Sequence, residues 1–249
     1  MTRAALAAAL LLWGCPHRAP APQVGDLDAA ALWDRVLAAQ AQGPATLTAV
    51  AKAFVDAPEN GGRYSLHLSV KRPASLRVEA LTPLGDPAAV LVADEGRFAL
   101  FDLRRNAFYR GPSTPENLSR LFPLPLRDDE LVALFLGGVP ELRGGRPASA
   151  AREGDGFRIV QRAGAEEQEL FVHRDDLRTL RVRRGAWTVT LEEHDAKGGR
   201  PLPRVVKLSM PDRRIAIDLR LRGVEVGLPP PRSAFALAPP RGVPVEDLP

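Results

Sequence analysis

The sequence of 249 residues has one cysteine, Cys15. A single thiol cannot close an internal disulfide, so the fold must be held by packing. If Cys15 is itself modified, no thiolate is left for catalysis or for a metal site. Lysine is almost as scarce: Lys52, Lys71, Lys197 and Lys207 are the whole set, and the remaining basic charge is arginine. Net charge is only +4, charges of both signs alternate without a long basic block, and aromatics make up 6% of the chain. That balance argues against a nucleic-acid partner. Beyond the first fifteen residues, no run approaches the roughly eighteen continuous apolar residues of a membrane span.

Catalytic signatures are missing as well. His17, His67, His173 and His194 lie far apart. None has a second histidine or a cysteine at metal-ligand spacing, and the last three fall at strand or turn positions expected to face solvent. Asp128-Asp129-Glu130 reads as the acidic first turn of a helix rather than a general acid–base group. Gly144-Gly145 and Gly198-Gly199 are bare turns, outside any strand–loop–helix context that would cradle a phosphate. No serine occupies a G-x-S-x-G elbow. The expectation is a protein without enzymatic activity, cofactor or metal.

What is present starts at the N-terminus. Arg3 gives a positive tip, Ala4 to Trp13 is unbroken apolar chain, and Gly14 precedes Cys15. This is the order of an export signal. Ten apolar residues make about 15 Å of helix, half of a bilayer core, which is too short for a permanent span. Leu12-Trp13-Gly14-Cys15 reads as a lipobox, with residues 1–14 as signal peptide and Cys15 as the lipidated first residue of the mature protein. An ordinary signal peptide that happens to contain cysteine is the alternative. Residues 15–25 form a proline-rich tether. Residues 26–226 then make one domain, followed by a proline-rich extension over 227–249.

Within that domain, Asp26 or Asp28 can cap a helix reaching about Gln42, with Leu32, Trp33, Val36 and Leu37 on one face. The periodicity then turns twofold. Tyr64, Leu66, Leu68 and Val70 alternate with polar residues, as do Leu76, Val78 and Ala80. Further strands are expected at Thr46–Val55, Ala88–Ala93, Phe98–Leu103, Phe157–Arg162, Gln168–His173, Thr179–Arg184 and Trp187–Glu192. The series closes with a hairpin, Val206–Met210 and Ile215–Leu221. Such alternation places one face on an apolar interior and the other in water. Two helices interrupt it, one opened by Ser113-Thr114-Pro115-Glu116 and one over Arg127–Gly137 carrying Leu131, Leu134 and Phe135. Gly144 to Gly156 reads as a flexible connection. The expected fold is mainly β (α+β): a single curved antiparallel sheet of about eleven strands forming a half-open barrel, with an N-terminal helix and a two-helix insertion. That insertion either completes the core or lies as a lid over a cavity.

Several features in this order resemble the LolB-like outer-membrane lipoproteins. They are the lipobox cysteine, the leading helix, the strand ending Leu81-Thr82-Pro83-Leu84-Gly85, the helical segment Leu121 to Pro140, and the closing part Leu202 to Leu221. The resemblance implies a half-open barrel whose apolar cavity, beneath a helical lid, takes acyl chains of lipoproteins. Leu66, Leu68, Leu76, Val78, Val189 and Ile217 would line it, with Leu131, Leu134 and Phe135 in the lid. It implies that Leu84, held between Pro83 and Gly85, projects from its loop and promotes delivery of cargo into the membrane. A leucine folded back on the barrel rim is the other reading of the same loop. The implied partners are acylated lipoprotein cargo, a periplasmic carrier as donor, and the outer membrane, held by the anchor on its periplasmic face. The protein would act as a monomer. Two features depart from the family: Asp86 follows the loop tip directly, and residues 227–249 run past the last family strand. A structural or assembly lipoprotein of the envelope, using the same fold without transfer, is the alternative function.

Overall fold

The computed structural model describes residues 27–58, 61–82, 84–120, 125–197 and 199–249. Residues 1–26, with the signal peptide, Cys15 and the whole tether, lie outside them, as does Pro83. The first element, α1 (Ala29–Ala41), starts where Asp28 Oδ1 accepts hydrogen bonds from the backbone N–H groups of Ala30 and Ala31, each at 3.0 Å. This satisfies two donors that a helix start otherwise leaves unmet. Leu32 and Val36 turn inward, and Trp33 is half-buried against the core. Leu37, expected on the same face, is instead 44% exposed.

Six strands follow: β1 (Thr46–Asp56), β2 (Gly62–Lys71), β3 (Ser75–Leu81), β4 (Pro87–Asp94), β5 (Arg97–Asp102) and β6 (Ala107–Pro112). Then come α2 (Pro115–Leu118) and α3 (Asp128–Phe135). The second half comprises β7 (Arg146–Glu153), β8 (Gly156–Ala163), β9 (Glu166–His173), β10 (Thr179–Arg184), β11 (Trp187–Lys197), β12 (Arg200–Met210) and β13 (Ile215–Val226). A short strand, β14 (Val245–Asp247), ends the chain. All fourteen join one sheet in the order β14-β6-β5-β4-β3-β2-β1-β13-β12-β11-β10-β9-β8-β7, which does not close on itself.

The count of about eleven strands is therefore corrected to fourteen. The stretch expected as a flexible connection, 144–156, contains edge strand β7, whose residues are half-buried or exposed and show no apolar face. Strand β6 ends in Gly111-Pro112, which reads as a breaker. Strand β14 pairs parallel to β6 while every other pair is antiparallel, so the sheet is not uniformly antiparallel.

Alternation fixes the two faces. In β1, Leu47, Ala49, Ala51, Ala53 and Val55 are buried, while Val50, Lys52, Phe54 and Asp56 are exposed. The inward rows of β2, β3, β11 and β13 join them in one apolar cluster, together with residues of α1 and α3. Helix α1 packs along β7, and α3 lies over β2, β3 and β12.

The extension beyond residue 226 straps the outer face. Val90 and Val92, which alternate with core residues Ala89, Leu91 and Ala93, are covered by Phe235 from a 3-10 turn at Arg232–Phe235. Arg77 Nη1 donates to the Ala234 carbonyl at 3.2 Å. The chain then reaches the β6 edge. Leu248 N donates to Arg110 O at 2.8 Å, Arg110 Nε pairs with Asp247 at 2.6 Å, and Asn117 Nδ2 donates to Pro249 O at 3.0 Å. An edge strand with free N–H and C=O groups is a template for unwanted pairing, and β14 covers this one.

Candidate functional site

The register places the β1–β2, β3–β4 and β5–β6 turns at one end of the barrel, because Ser65 faces Leu81 and Ala89 faces Asp102. The β3–β4 loop is closed by hydrogen bonds of its own residues. Thr82 N donates to Asp86 O at 2.7 Å, Gly85 N to Thr82 O at 3.0 Å, and Asp86 N to Thr82 Oγ1 at 3.2 Å. Gly85 has φ +96°, a conformation that side chains rarely adopt, so glycine permits the turn. Leu84 stands at the tip and is 91% exposed. It is not folded onto the barrel rim. Asp86, next to the tip, has its backbone amide and carbonyl bound within the loop. Pro83 lies outside the described residues.

Leu66, Leu68, Leu76, Val78, Val189 and Ile217 are all buried on the inner face of the sheet. They belong to one continuous apolar cluster with Leu131, Leu134 and Phe135 of α3, so the helix lies down on them. Three surface hollows lie elsewhere on the molecule, and none of these is lined by α3. One of about 240 Å³ lies under the C-terminal strap, between Phe235 and the outer side of β4–β6. Two others, of about 310 and 480 Å³, flank the exposed ring of Phe54; Ile217 contributes to the smaller of them.

What pins α3 in place is polar and was not expected from sequence. At the start of the helix Arg127 N donates to Glu130 Oε2 at 2.9 Å. Glu130, 1% exposed, also receives Arg184 Nη1 from β10. Arg184 Nε donates to Gln168 Oε1 at 2.9 Å, and Gln168 Nε2 donates to Gln161 Oε1 at 3.1 Å and to Pro140 O at 3.0 Å. The Arg184 guanidinium also lies 5.3 Å from the Trp187 ring centroid. Burial lowers the Arg127 pKa, but a hydrogen bond to Asp129 and the charges of Glu130, Asp129 and Glu141 outweigh it, leaving it above its ordinary value. Asp128, expected simply to favour the helix start, is buried and accepts from Ser113 Oγ at 2.6 Å. These residues bolt the helix to β8–β10 through a satisfied polar network, the kind of arrangement that specifies one packing.

Of the histidines, His67 has a 54% exposed side chain. His173 is partly covered beside Asp176, with Nδ1 3.2 Å from Oδ1. His194 corrects the solvent-side expectation: it is half-buried with Nε2 sealed from solvent. Among the described residues no group of three or more His, Cys, Asp or Glu side chains is arranged to hold a metal, and no helix is long and apolar enough to cross a membrane.

No protein-family model and no curated protein sequence matches this chain. Solved structures do. A DUF1329 family protein from Desulfovibrio piger superimposes with TM-score 0.62 at 8% identity, over 83% of this chain and 96% of its own. A putative outer membrane lipoprotein-sorting protein domain from Vibrio parahaemolyticus gives 0.61 at 9% identity, over 81% and 94%. A LolA superfamily protein from Nitrosomonas europaea gives 0.56 at 12% identity, over 81% and 97%. At such identities the likeness concerns architecture: the chain has a LolA/LolB-like fold, a large open β-sheet wrapped around a few helices.

Proposed function

We propose that this protein is a lipid-anchored lipoprotein of the outer membrane that receives the acyl chains of other lipoproteins and helps insert them into the bilayer. Cys15 carries the anchor, and the body faces the periplasm. The inner sheet face with Leu66, Leu68, Leu76, Val78, Val189 and Ile217 receives the chains once α3, with Leu131, Leu134 and Phe135, lifts. The donor is a periplasmic carrier, the protein works as a monomer, and no bond is made or broken.

One observation carries this reading: Leu84 is 91% exposed on a loop closed by its own backbone hydrogen bonds. Full burial of a leucine side chain is worth about 1.5–3 kcal/mol over exposure, and a bilayer recovers that energy where water cannot. A lone surface leucine is ordinary. Its rigid presentation at a barrel end, on a fold shared with a lipoprotein-sorting domain, favours a membrane contact.

The test is Leu84→Glu in anchored protein. Thermal stability and cargo uptake should match the parent, while insertion of cargo into membranes falls. A loss of several degrees in Tm, or full insertion, would refute the contact. A second reading, an envelope scaffold that transfers nothing, is favoured by the packed cluster beneath α3 and by the buried Arg184–Glu130 pair that holds the helix down.

A further inference from the structure

At the barrel end opposite Leu84, four segments converge: the end of α1, the β2–β3 turn, the β9–β10 turn and the start of β12. The register requires this, since Thr46 faces Lys71, Lys71 faces Ser75, and Thr179 faces Val172. Three arginines come with them. Arg72 Nη2 donates to the Gln40 carbonyl at 3.0 Å, and Arg200 Nη2 donates to the Leu177 carbonyl at 2.9 Å. A Cβ placed on Gly43 would lie 3.4 Å from Arg200 Cδ and 3.5 Å from Arg72 Nη2, so both side chains close on this glycine. Arg178, next to Leu177, pairs with Asp176.

The cluster is short of negative charge and of acceptors. Asp176 is the only carboxylate paired there among the described residues, and it is already engaged by Arg178 and by His173. Arg72 and Arg200 donate to main-chain carbonyls rather than to anions. Arg200 is 5% exposed, yet its Nε meets no acceptor; the same holds for Arg178 Nε and Gln40 Nε2. Thr46 Oγ1, Thr179 Oγ1 and His194 Nε2 are also buried without a partner. Buried donors are nearly always satisfied, so three unmet ones at one cationic cluster call for an acceptor. Burial lowers the pKa of Arg72, and that of Arg200 falls through burial and the nearby Arg72 charge, against a rise from Asp176.

We propose that Arg72, Arg178 and Arg200, with Gln40, Thr179 and His194, form a binding site for a phosphate group. Guanidinium forks match tetrahedral oxyanions through paired hydrogen bonds, and hydroxyl and amide donors complete the shell. The group comes from either a phospholipid headgroup or free phosphate. The site stands independently of the transfer function, because a lipoprotein's acylated cysteine carries no phosphate.

The experiment titrates the full chain with inorganic phosphate, a short-chain phosphatidic acid, and the corresponding diacylglycerol as a phosphate-free control. Saturable binding of the two phosphates and none of the diacylglycerol is expected. Phosphatidic acid binding about tenfold tighter than phosphate assigns a lipid source, and equal affinity assigns free phosphate. Arg72→Gln and Arg178→Gln, both at partly exposed residues, should each weaken binding about tenfold with Tm close to the parent. If the variants fold poorly, unmodified protein still decides: phosphate at matched ionic strength should raise the midpoint of the His194 NMR titration. No saturable phosphate binding, binding unchanged in both variants, or a His194 midpoint indifferent to phosphate would overturn the assignment.

Discussion

Removing Arg184 should loosen the lid more than any apolar change of similar size. In Arg184→Ala, Glu130 loses its cationic partner from β10 at a position where its side chain is 1% exposed, and Gln168 Oε1 loses the donors that reach it from the same guanidinium. Breaking a buried pair by removing one partner costs about 3–5 kcal/mol, because the remaining charge stays buried. For a chain of this size each kcal/mol moves Tm by roughly 2–4 °C, so the loss should be about 6–20 °C. Thermal unfolding and urea titration measure it, and binding of an apolar dye reports exposure of the core under α3. The double variant Arg184→Met/Glu130→Leu leaves no lone charge and should be less destabilised than Arg184→Ala. Refutation would be a cost below about 1 kcal/mol, the range of an exposed pair, or a double variant as costly as the two single changes added together.

Two further outcomes follow from the strap and from His194. A Cβ on Gly111 would meet the Leu248 carbonyl at 2.7 Å, so Gly111→Ala should push β14 off β6 at a cost of about 1–3 kcal/mol; limited proteolysis should then trim the C-terminus, and an uncut, equally stable variant would contradict the contact. His194 has a lowered pKa, caused by burial first and by the Arg178 charge next. The folded state therefore resists protonation: its contribution is complete above the unfolded value of about 6.5 and is lost as pH falls through the lowered folded value. The difference in stability between parent and His194→Asn should shrink as pH drops below about 6.5 and level off once pH has passed the lowered folded value, and a difference independent of pH would refute it.

The parts of this fold legible in the sequence are those where burial imposes a period. Strands β2, β3 and β13 each put one face on the core, and Leu66-Leu68-Val70 or Ile217-Leu219-Leu221 announce it. The β3–β4 loop was legible because proline and glycine bracket Leu84, although only the structure decides that the leucine points outward. Strand β7 has no buried apolar row to announce it, and β14 is three exposed residues held by the β6 edge. The polar bolt under α3 was invisible for a different reason: Glu130, Gln168 and Arg184 are far apart in the chain, and only the β9–β10 pairing and the placement of α3 bring them together. The arginine cluster at the opposite rim is likewise assembled from four separate segments, with no local motif in any of them.

The central claim, that the inner face of the sheet takes acyl chains, is tested most directly by photocrosslinking. A photoreactive residue in place of Leu68 or Val78, on the inner face beneath α3, should crosslink to the acyl chains of a lipoprotein presented by its carrier. The same residue in place of Lys52, on the outer face, should not. Crosslinks confined to the outer position, or none at either inner position in protein that folds normally, would contradict acyl-chain binding and leave the scaffold reading in its place.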